Sequence, residues 1–125
     1  MQNDMQIQGF HATNCQLTEL NYEKLLLNIN NHLNGALGLW CAIRSDWIDC
    51  FGKNIYQVSI EGKAYDMPVD ELAKYSAEYT SVQNYIEKRN NLLSLGYDFI
   101  RILETSGRCD MFIVLSFEKT TFAKN

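Results

Sequence analysis

One proline, seven glycines and two histidines are spread over 125 residues, and no two cysteines stand at C-x-x-C spacing. So little proline and glycine excludes collagen-like and linker-like chains. The four cysteines, Cys15, Cys41, Cys50 and Cys109, form no disulfide framework and read as reduced thiols. With two histidines and no cysteine pair, no metal site is expected. Apolar runs reach five residues at Leu39–Ile43, far short of the roughly 20 that a membrane-spanning helix needs. Positive charge is short as well. Eleven Lys and Arg against fifteen Asp and Glu leave a net charge of −4, without the basic footprint of a protein held by nucleic-acid phosphates. The opening MQNDMQIQGF lacks a basic start followed by an apolar run, so no secretory signal is expected and a cytoplasmic location is.

What is present is an ordinary globular composition, 46% apolar and 21% charged, in a length that suits one domain with one core. Alternation predicts a short strand at Gln6–Phe10, ending at His11. Thr18 or Asn21 can cap a helix that carries Leu25, Leu26, Ile29 and Leu33, with Asn34-Gly35 as its stop. Gly38–Ile43 reads as a buried strand, Ser45 as the cap of a short helix closing at Gly52, and Asn54–Glu61 as a half-buried strand. After a turn at Glu61-Gly62-Lys63, Ala64–Met67 is a brief extended return. Pro68 opens a helix over Val69–Lys74. Thr80 or Ser81 opens a longer one, with Val82, Tyr85, Ile86, Leu92 and Leu93 on one face and Gly96 as its stop. Tyr97–Leu103 and Met111–Phe117 form a hairpin around Thr105–Arg108. The polar tail Lys119–Asn125 is expected to fray. The predicted class is α+β: a split, mostly antiparallel sheet with inserted helices, spanning 1–125 as a single domain.

The common catalytic signatures are absent: no phosphate-binding loop, no G-x-G-x-x-G, no G-x-S-x-G and no H-E-x-x-H. His32 reads as a helix-end imidazole. His11 stands where a strand gives way to a small-polar turn, and on composition alone a lone histidine there is more often structural. Trp40 and Trp47 suit core packing as well as ring stacking. Ser45 reads first as a helix cap, and Arg44 as either a solvent-facing charge or a phosphate partner.

In order along the chain, Phe10-His11-Ala12-Thr13, Gly35–Ala42 (GALGLWCA), Asn54–Asp66 (NIYQVSIEGKAYD) and the late pair Leu95–Ile100 and Asp110–Val114 resemble the motifs of the diphtheria-toxin-like and poly-ADP-ribose-polymerase-like ADP-ribosyltransferases. The resemblance spans about residues 8 to 117. It departs from the family pattern at Ala12, usually glycine, at Trp40, usually tyrosine or phenylalanine, and at Ala42, near the expected serine or threonine.

The resemblance implies a mono-ADP-ribosyltransferase that takes NAD as substrate, releases nicotinamide and modifies an acceptor, with a protein favoured over nucleic acid. It implies that His11, as a catalytic and cofactor-binding residue, bonds an NAD ribose hydroxyl, that backbone groups at Ala12 grip the nicotinamide amide, and that Trp40 stacks on its ring. Thr13, Arg44 and Ser45 become candidate cofactor contacts. Either Asp110 or Glu104 supplies the catalytic acid. The rings of His11 and Trp40 are expected to converge from neighbouring strands into one notch. Very small standalone versions of this layout serve phages against host defence, which implies an anti-defence role in host cytoplasm. An inactive protein-binding inhibitor on the same scaffold and an NAD glycohydrolase are the alternatives.

Overall fold

The computed structural model describes residues 4–14, 16–29, 32–47 and 52–124. β1 (Met5–Thr13) alternates Met5 and Ile7 into the core with exposed Gln6 and Gln8. It does not end at His11 as expected, because pairing with β3 carries the small-polar residues Ala12 and Thr13 on as strand. α1 (Tyr22–Leu27) starts at Asn21, whose side chain accepts the Lys24 N–H at 3.1 Å. It stops sooner than expected. The Asn28 amide donates to the Lys24 carbonyl at 3.0 Å and so takes up a helix-end acceptor. Leu33 therefore opens a separate 3-10 turn, Leu33–Leu37, in which Gly35 is an internal residue.

β2 (Leu39–Ala42) is followed by a 3-10 turn at Ser45–Trp47. The rest of the short helix expected up to Gly52 falls on residues 48–51, outside the described residues, as do Cys15 and Cys50. Next come β3 (Asn54–Gly62), β4 (Ala64–Pro68), α2 (Val69–Glu78) and α3 (Val82–Ser94). Ser81 and Asn84 cap α3 reciprocally. β5 (Phe99–Leu103) and β6 (Cys109–Val114) form the expected hairpin.

The tail is a correction. Thr120–Lys124 is β7, antiparallel to β3, because Phe122 pairs with Val58 and sets its ring edge-on to Tyr56 at 6.0 Å. One apolar anchor in a polar segment is enough to hold an edge strand.

The described strands form one sheet in the order β4-β5-β6-β2-β1-β3-β7, and β4–β5 is its parallel pair. The class is α+β, with a mostly antiparallel sheet. β4 is not the local return expected after β3; it lies at the far edge, although Lys63 alone separates the two strands. A single residue cannot cross a flat sheet of that width, so the sheet folds over on itself. Lys63 joins the edge strand β4 to β3, the strand next to the opposite edge, and its carbonyl accepts the Asp98 N–H at 2.8 Å.

Two halves result, and they face each other across one cluster. Tyr56, Val58 and Ile60 of β3 pack against Phe99, Phe112, Val114, Leu39 and Cys41 of the other half. A second cluster, with Tyr85, Leu92, Ile100 and Ile113, lies on the outer face beneath α3 and the Leu33–Leu37 turn. The halves meet at β1 and β2, joined by the single pair Phe10–Ala42. Gly9 permits that approach, since a Cβ there would stand 2.5 Å from the Ala42 carbonyl oxygen and 2.5 Å from the Phe112 ring.

Candidate functional site

Beyond the Phe10–Ala42 pair the two strands part, and a cavity of about 800 Å³ opens between them. His11, Ala12 and Thr13 line it from β1, and Leu39, Trp40 and Cys41 from β2. The loop before α1 closes over it, tied down where the Leu17 N–H donates to the Tyr56 hydroxyl at 2.7 Å.

His11 pairs with Tyr56 across β1 and β3, so its side chain belongs to the inner face between the halves. Its Nδ1 donates to the Trp40 carbonyl oxygen at 2.7 Å. A carbonyl only accepts, so Nδ1 carries the proton. Burial pushes the imidazole pKa below 6.5, and the Trp40 carbonyl, which favours the charged form, offsets this only in part. The ring is therefore neutral at pH 7, and Nε2 is left as a hydrogen-bond acceptor with no protein partner among the described residues.

Trp40 sits differently from the expectation. It pairs with Ile113 and packs against the outer cluster, while its Nε1 donates to the Asn34 carbonyl at 2.9 Å. Both residues border the cavity, but side chains alternate along strands, and the two rings lie on opposite faces of the sheet. They do not converge. What joins the residues is the imidazole and the Trp40 backbone.

The other sequence candidates divide. Ala12 and Thr13 line the cavity; Arg44, Ser45, Glu104 and Asp110 do not. Arg44 is exposed and ion-paired with Asp46 at 2.8 Å, and Ser45 begins the 3-10 turn. Glu104 is exposed at the head of the β5–β6 turn, its N–H donating to the Arg108 carbonyl at 2.9 Å. Asp110 extends the β2–β6 ladder, accepting the Ile43 N–H at 2.9 Å, and Arg108 holds its carboxylate at 2.9 Å. Alternation from Phe112 puts the Asp110 side chain on the inner face, the same face as His11, two strands across and one side-chain step along. Its side chain keeps 17% exposure.

Cys41 borders the cavity as a protonated wall residue, since burial drives its thiol pKa far upward. Three contributors had no signal in the sequence: the ion pair Lys24–Glu19 at the cavity, and the Tyr56 hydroxyl behind it. Only tertiary placement reveals them.

No helix among the described residues is long and apolar enough to cross a membrane. No family model and no curated protein matches the chain. Among solved structures, the crystal structure of an anti-CRISPR protein superposes with a TM-score of 0.57 at 12% identity, covering 97% of this chain and 96% of that one. At that identity the likeness concerns the fold.

Proposed function

We propose that the protein is an ADP-ribosyltransferase that uses NAD as substrate and acts on a protein acceptor. The observation that carries the reading is the neutral His11 ring, anchored through Nδ1 and offering Nε2 at the cavity between the half-sheets. An acceptor nitrogen fixed in a largely apolar cleft is suited to a sugar hydroxyl. The cavity volume lies within the range of small-molecule and cofactor sites.

In this reading the bond between C1′ of the ribose and the nicotinamide nitrogen breaks. Its electron pair leaves with the ring, neutralising the pyridinium, and C1′ passes through an oxocarbenium-like state. The acceptor nucleophile then bonds to C1′ and yields its proton to solvent. Such a step needs orientation and a nearby negative charge more than a strong base. His11 orients the ribose, and Asp110, which shares the inner face but stands outside the cavity lining, is the acid assigned to the charge, on condition that it leaves Arg108. Glu104, exposed at a turn, is the poorer candidate. Trp40 contributes its carbonyl rather than a stacking surface. An anti-defence role is part of the proposal, supported by the anti-CRISPR fold neighbour.

The test is incubation with NAD labelled in its adenylate half, together with a host lysate. Label transferred to a protein by wild type, and not by His11→Ala, supports the reading; no transfer and no free nicotinamide rejects it. One observation favours a second reading, that of a non-catalytic protein-binding inhibitor: Arg108 already occupies the Asp110 carboxylate. Stoichiometric inhibition of a partner in NAD-free buffer would establish it.

A further inference from the structure

The described lining of the cavity contains one ammonium or guanidinium group, that of Lys24. Its Nζ is ion-paired with Glu19, which borders the same cavity. The backbone beneath it is held from both sides: Asn21 accepts the Lys24 N–H at 3.1 Å, and Asn28 donates to the Lys24 carbonyl at 3.0 Å. The side chain is not held in that way. Lys24 and Glu19 keep 63% and 54% exposure, so both heads are well hydrated and free to change partners.

We propose that Lys24 is the diphosphate contact of the cavity and that Glu19 is its competing internal anion. The inference rests on the NAD reading above and adds which part of the ligand is selected, and by which residues. A diphosphate carries two negative charges to the carboxylate's one and offers more acceptor oxygens to an ammonium. Entry of the ligand therefore draws Lys24 away from Glu19 and leaves Glu19 close to a like charge. The pair acts as a filter. Anionic dinucleotides displace Glu19, whereas a nucleoside without phosphates gains nothing from doing so.

Three probes separate the possibilities: NAD, ADP-ribose and the uncharged nucleoside adenosine, each titrated into wild type, Lys24→Gln and Glu19→Gln. Far-UV circular dichroism shows whether each variant is folded, and both positions are exposed enough to tolerate the change. Lys24→Gln is expected to weaken NAD and ADP-ribose by about tenfold, and Glu19→Gln to tighten both by about threefold, with adenosine affinity unchanged. A Kd for NAD that moves less than about twofold in either folded variant, or an adenosine affinity that moves in parallel, overturns the filter while the NAD reading stands. Wild type binding none of the three probes overturns both.

Discussion

The imidazole of His11 and the backbone carbonyl of Trp40 meet at 2.7 Å where β1 and β2 separate. This bond fixes the tautomer of the ring, and burial fixes its charge. A pH dependence follows. Because the folded-state pKa lies below 6.5, the unfolded chain takes up the proton first as pH falls. The stability contributed by His11 is complete above pH 6.5 and is lost as pH drops towards the folded value. Urea midpoints should fall between about pH 7.5 and about pH 5.5 in wild type, and by less in His11→Asn, whose amide donates to the same carbonyl without titrating. Equal slopes in the two proteins would contradict the assignment of a half-buried, neutral ring.

Gly9→Ala places a Cβ against the Ala42 carbonyl and the Phe112 ring at the single pair that joins the half-sheets. The carbonyl belongs to a neighbouring strand and cannot rotate aside. The substitution should cost about 2–4 kcal/mol in denaturant unfolding, at the upper end of overpacking penalties. A cost below about 0.5 kcal/mol, typical of surface changes, would show that the strands do not approach so closely.

Phe122→Ala tests the last strand. The ring is half-buried and rests edge-on to Tyr56, so its removal should cost about 1–2 kcal/mol, less than a fully buried phenylalanine. Unchanged stability would return the tail to the frayed state expected from its polarity.

These residues also show how much could be read in advance. Alternation at Gln6–Phe10 and Asn54–Glu61, the apolar run at Gly38–Ile43 and the turn at Thr105–Arg108 each carry their own local cause and each formed, although the first strand runs on past His11 to Thr13. The Ser81 cap is equally local. Leu25, Leu26, Ile29 and Leu33 suggested a longer helix, but spacing does not reveal that Asn28 turns its amide back onto Lys24 and ends it. The fold-over of the sheet and the pairing of β4 with β5 arise from long-range contacts that no window of sequence contains. The face taken by Trp40 depends on strand register, so a tryptophan next to a histidine-bearing strand looked like its partner when only its carbonyl is.

The choice between the two acids has its own outcome. Asp110 shares the inner face with His11, whereas Glu104 is exposed at a turn. Asp110→Asn should lower NAD turnover by about 100-fold or more, the scale of removing one transition-state charge contact. Glu104→Gln should leave it within about twofold, as for an exposed surface change. The reverse pattern would move the acid to the β5–β6 turn.

The most direct measurement is release of free nicotinamide from NAD by purified wild type and His11→Asn, with a host lysate supplying the acceptor. Wild type should release nicotinamide in step with label appearing on protein. His11→Asn, folded and still bonded to the Trp40 carbonyl but without the Nε2 acceptor, should release at least about 100-fold less. Equal release by the two proteins, or none by wild type, would contradict the role assigned to His11.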